Sequence, residues 1–75
     1  MRNTNDPEIQ ISQMLLKEHS KKQCLRIVDY IGDEQLRFDA LMRTFLTGPY
    51  RVTQRASWPL SVCVERYPLL AKSHV

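Results

Sequence analysis

Seventy-five residues make one small domain, and a chain of this size buries only about 60% of its unfolded surface, which leaves its stability marginal. An apolar content of 43% with 25% charged residues belongs to an ordinary globular chain, while two glycines and four prolines leave little room for a turn-rich β fold or for disorder. The net charge of +3 suits weak attraction to a polyanion and falls short of the dense basic patch of a nucleic-acid binder.

Met1 to Asn5 is polar and unpatterned, so a flexible N-terminus is expected over 1–5, followed by one helical domain over 6–75. Asp6 offers an N-cap acceptor, Pro7 suits the first helical position and Glu8 favours the positive end of the helix dipole. The first helix then runs to about Glu18, with Ile11, Met14 and Leu15 as its stripe and Leu16 beside it. His19 and Ser20 form a joint, and Ser20 with Gln23 three places on reads as a capping box. In the second helix Cys24, Ile27, Val28 and Ile31 fall at i, i+3, i+4, i+7, while Lys21, Lys22, Arg26 and Asp29 lie mostly away from that stripe.

Gly32 suits a left-handed helix end, and Asp33 is the expected cap of the third helix, with Glu34 in its first turn. Phe38, Leu41, Met42 and Phe45 repeat the helical spacing, joined by Leu46, until Thr47, Gly48 and Pro49 close the element. The fourth helix starts near Tyr50 and runs to Arg66. Its apolar residues Val52, Ala56, Leu60, Cys63, Val64 and Tyr67 make it the segment around which the others pack. Pro59 predicts a kink there, or alternatively a fresh helix capped by Ser57. Tyr67 and Pro68 end it, and the last seven residues are too short to hold as a helix without a neighbour.

Val52, Ala56, Ser57, Pro59 and Leu60, followed by Tyr67, Pro68, Leu69 and Leu70, resemble the second helix of a HEAT repeat, whose pattern is Val-Arg-x-x-Ala-Ala-x-Ala-Leu. More narrowly, Glu18 to Gln23, then Arg37, Phe38, Leu41 and Met42, then Gln54, Arg55, Ala56 and Trp58 to Ser61 are similar to the opening of an uncharacterised Bacteroidetes-type bacterial family of HEAT-like proteins. The resemblance spans nearly the whole chain. It implies an all-α, right-handed HEAT-like α-α stack of about four helices, used to bind proteins or, as in alkylation-repair glycosylases, DNA. Members of that family run on through further helix pairs. Two departures mark this chain: Thr53 stands where the repeat has arginine, flanked by Arg51 and Arg55, and a proline occupies a small-residue position.

Helical repeats bury their apolar faces by stacking, with about three repeats for a stable array. Two helix pairs therefore point either to a piece of a longer array or to an isologous homodimer covering the open face. Few side chains are spaced for chemistry. His19, His74, Cys24 and Cys63 make no C-x-x-C or H-x-x-x-H spacing, so no metal or cofactor is expected. A thiol on an apolar stripe is desolvated and inert, so neither cysteine reads as a nucleophile with His19 and Asp29, nor as half of a disulfide. Glu34, Asp39 and Glu65 read as solvated pairing partners. No run of about 18 apolar residues spans a bilayer and the first ten residues are polar, so the expected setting is cytoplasmic, away from membranes.

The reading is thus a non-enzymatic protein-interaction or scaffold module, with nucleic-acid binding as its alternative. The candidate surface is Arg51, Gln54, Arg55 and Arg66 on the fourth helix with Arg37 and Arg43 on the third. Trp58 joins it as an interface anchor, against the simpler expectation that it belongs to the core.

Overall fold

A computed structural model describes residues 6–72; the expected flexible stretch 1–5 and His74 lie outside them. Five helices follow in order: α1 Pro7–Lys17, α2 Lys21–Ile31, α3 Gln35–Thr47, α4 Tyr50–Arg66 and α5 Pro68–Ala71. The described chain is all-α as expected, with one short helix beyond the four read from the pattern.

The start of α1 forms as its residues dictate: the Glu8 N–H donates to Asp6 Oδ1 at 2.8 Å, with Pro7 in the first turn. Its other end turns extended at Glu18, which leaves its last carbonyls without donors from the helix itself. Two side chains from elsewhere reach them. Gln23 Nε2 donates to the Met14 carbonyl at 2.9 Å, and Arg55 Nη1 donates to the Leu15 carbonyl at 3.1 Å. The capping box of α2 is therefore only half formed. The Gln23 N–H donates to Ser20 Oγ at 3.1 Å, but the Gln23 side chain serves α1 instead of turning back to Ser20.

α2 ends at Gly32, whose N–H donates to the Val28 carbonyl. Its φ of 53° is positive as expected, but a ψ of −134° carries it past the left-handed helical region into one open to glycine alone. The expected cap at Asp33 does not form. The Glu34 N–H bonds back to the Ile31 carbonyl at 3.1 Å, which extends the turn by a residue and leaves Glu34 at the N-cap of α3 with no side-chain hydrogen bond.

α4 runs unbroken through Pro59, so no new helix starts at Ser57. The Ser57 hydroxyl donates back to the Gln54 carbonyl at 2.8 Å rather than forward to a cap. Pro59 supplies no N–H to the Arg55 carbonyl, and its ring is buried in the core. That burial slides the inward face of α4 onto Val52, Ala56, Pro59 and Cys63, leaving Leu60 half-buried and Val64 exposed. Leu16 and Leu46 also lie outside the core: each follows an inward-leaning residue, and one helical step turns a side chain by about 100°.

The core gathers Ile11, Leu15, Cys24, Ile27, Val28, Ile31, Phe38, Leu41, Val52, Ala56 and Cys63, with α4 touching all four other helices. α1 lies against α3, α2 against α4, and α3 against α4. The short C-terminal segment becomes α5 because it does find a neighbour: Leu70 is buried and its carbonyl accepts from Gln35 Nε2 of α3 at 2.9 Å.

Candidate functional site

The predicted surface residues separate into two groups. Arg37, Arg43 and Arg66 are each held within the fold at a different place. Arg37 lies 3.1 Å from Glu34, donates to the Tyr30 carbonyl at 2.7 Å and sits over the Tyr30 ring at 4.4 Å. Arg43 meets Glu8 of α1 at 3.3 Å, and Arg66 stands 3.9 Å from Asp29 of α2. These three do not join the α4 group in one stripe.

Arg51, Gln54, Arg55 and Trp58 do come together, because they succeed one another at three- and four-residue steps along α4. Arg55 lies across the end of α1 through its bond to the Leu15 carbonyl. Trp58, the only tryptophan, is 40% exposed, so it stands at the rim and not in the core. The His19 ring meets it edge-on, with centroids 6.0 Å apart and planes at 74°. The α1–α2 joint thus closes against the middle of α4, and this corner is the candidate site. His19 is the member that sequence reasoning missed; 39 residues separate it from Trp58 in the chain, and no local pattern links the two.

Beneath the corner, Leu15, Ser20, Cys24, Arg55, Trp58 and Pro59 line a crevice of about 10 Å³, no more than the room one water needs. A small molecule has no seat there. Two wider hollows lie on the surface, one of about 380 Å³ along Ile9, Ser12, Gln13 and Leu16 of α1 and one of about 350 Å³ around Tyr67 to Leu70. Neither contains a cysteine or histidine. Among the described residues no three His, Cys, Asp or Glu side chains gather into a possible metal cluster.

Both cysteines are free and buried. Burial pushes the Cys63 thiol up to about 11, with Cys24 adding to the rise and Arg66 opposing it. Burial raises Cys24 as well, again against the pull of Arg66. Thiols held this firmly in the protonated form are poor nucleophiles. Of the carboxylates read as solvated partners, Glu34 pairs with Arg37 and Asp39 accepts from Gln35 Nε2 at 2.7 Å. No helix among the described residues is long and apolar enough to cross a membrane. Comparison of the chain with known protein families, with curated proteins and with solved structures found no match.

Proposed function

We propose that the chain is a non-enzymatic protein-interaction module of HEAT-like helical-repeat type, and that its contact face is the corner around Trp58. The observation that carries this reading is the tryptophan itself: a large amphipathic ring, 40% exposed above a crevice too small for a ligand, with Arg55 and Glu18 beside it. A ring so placed anchors a macromolecular surface, since a partner's contact would desolvate its open part. The repeat character draws support from the short turns between successive helices and from the packing of α1 on α3 and α2 on α4.

The nucleic-acid alternative uses the same cations less well. A phosphate-neutralising stripe needs free guanidiniums in a row, and Arg37, Arg43 and Arg66 are already engaged with carboxylates.

The test places a photo-reactive benzoylphenylalanine at position 58, with the exposed Leu46 on α3 as control. Discrete protein adducts are expected from position 58 and not from 46. A self-associating chain would give one such adduct at twice 8.8 kDa. Adducts at both positions alike, or adducts only to nucleic acid, would refute the reading.

A further inference from the structure

We propose that the partner seated on this corner is an acidic peptide segment carrying an apolar side chain between its carboxylates. The inference rests on the contact-face reading above and adds the chemistry of what is bound. Its basis is a separation of charge that the linear order hides.

Lys17 lies in the last turn of α1, whose Leu15 carbonyl receives Arg55. Lys21 and Lys22 open α2 immediately after Ser20, which lines the crevice. Arg51 stands one turn before Arg55 on α4. All five lie within about two helical turns along the chain of Trp58 or His19, and among the described residues none of them has an ion-pair partner. Two carboxylates fall within the same reach: Glu18, which is engaged by the Ser20 hydroxyl, and Glu65, as far past Trp58 on α4 as Arg51 is before it. Apart from these residues, carboxylates outnumber cations in the described chain, six to five, and the pairs Arg37 with Glu34, Arg43 with Glu8 and Arg66 with Asp29 all lie among the rest. Five of the seven cations without an ion pair among the described residues therefore belong to this one corner, together with its exposed indole.

The same geometry selects among anions. A free small anion would find no enclosure, since the crevice has only about 10 Å³ of room. Single-stranded nucleic acid binds along a groove with successive aromatic platforms, whereas this corner has one ring, already met edge-on by His19. The cations also come from three different helices rather than from one face of a single helix. A short acidic segment fits: its carboxylates face Lys17, Lys21, Lys22 and Arg51 while its apolar side chain covers the open part of Trp58.

The experiment follows the emission of Trp58, the only tryptophan, as synthetic peptides are added to the whole chain. A short oligoglutamate with a central leucine should shift the emission saturably. An all-glutamate peptide of equal charge should bind about fivefold more weakly. Lys21→Glu combined with Lys22→Glu should weaken binding about tenfold, as two exposed attractions become repulsions. That variant keeps its fold, because acidic residues suit the first turn of α2, and circular dichroism verifies it. Peptide binding unmoved by the double substitution would overturn the proposal. So would tighter binding of oligothymidylate, its affinity falling with salt at a logarithmic slope of about −0.7 per phosphate. Absence of peptide binding with protein adducts still forming at position 58 would reject the acidic chemistry and keep the contact face; absence of both would reject the two together.

Discussion

Replacing Gln23 with methionine should destabilise the domain far more than the change in side-chain size suggests. Gln23 is 3% exposed, and its amide is the donor to the Met14 carbonyl at the end of α1. Methionine nearly matches its volume, so the substitution opens no large cavity. It does remove the donor, and the part-buried acceptor, still covered by the side chain at position 23, loses its partner at a cost of about 1–3 kcal/mol. The Ser20 cap survives, because it is made by the Gln23 backbone N–H. For a domain of this length total stability is about 4–11 kcal/mol, so a loss near 2 kcal/mol removes a substantial part of it. Each kcal/mol moves the midpoint by about 4–8 °C, giving an expected fall of about 8–16 °C in thermal melts followed by circular dichroism.

Arg55→Met removes the neighbouring bond to the Leu15 carbonyl. Arg55 is only partly buried, so water replaces it and the cost drops to about 0.5–1.5 kcal/mol. Both donors serve successive carbonyls of one helix end, so once either is lost the last turn of α1 frays and the second loss matters less. The double variant should therefore fall short of the sum by about 0.5 kcal/mol or more. A Gln23→Met midpoint within about 2 °C of wild type would refute the reasoning, since the carbonyl would then be satisfied without it.

Three further outcomes follow from single positions. Gly48 has an ordinary φ of −75°, yet a Cβ there would stand 2.7 Å from the Thr44 carbonyl oxygen and 3.3 Å from Val52 Cγ1. Gly48→Ala should therefore cost about 1–3 kcal/mol through a forced shift at the α3–α4 turn, and an unchanged denaturation midpoint would contradict it. Cys63 has its pKa raised in the fold to about 11 from 9.0, so the neutral thiol's stabilising contribution is complete below pH 9 and is lost as pH climbs to about 11. The stability gap between wild type and Cys63→Ala should narrow by up to about 2–3 kcal/mol across that window in denaturant titrations, and a constant gap would show the thiol to be open to water. Leu36 and Leu69 are each 78% exposed, so Leu36→Ser and Leu69→Ser should change stability by no more than about 0.5 kcal/mol, and larger losses would place them in a packed face.

The helices were legible because their signals are local. The Asp6 cap with Pro7, the Cys24, Ile27, Val28 and Ile31 spacing and the Gly48 stop all act within four residues, and each appears in the structure as read. The errors occur where two local rules compete or where a distant group intervenes. Gln23 satisfied the capping-box pattern, but the carbonyl of Met14, nine residues back, claimed its side chain. Ser57 had the chemistry of a cap, yet a continuous helix let its hydroxyl bond back to Gln54, and burial of the Pro59 ring accompanies that continuity. Trp58 looked like core on size alone. It lies instead where the inward face of α4, set by Val52, Ala56, Pro59 and Cys63, gives way to the rim.

The corner could not have been read in advance for the same reason. Arg51, Gln54, Arg55 and Trp58 share a face by helical spacing, so the α4 half of it was visible. The other half comes from the α1–α2 joint, and what brings it there is a bond between residues 40 apart, Arg55 to Leu15. Arg55 thus has two roles that sequence reasoning cannot separate: it closes α1 and it contributes charge to the rim. Substituting it confounds stability with binding, whereas Lys21 and Lys22, exposed at the start of α2 and free of ion pairs among the described residues, carry charge alone. If Arg55→Met weakened peptide binding but the Lys21 and Lys22 reversal did not, the guanidinium would be acting by holding the joint in place. If the lysine reversal weakened binding with the melting midpoint unchanged, the field of the corner itself would be the recognising element.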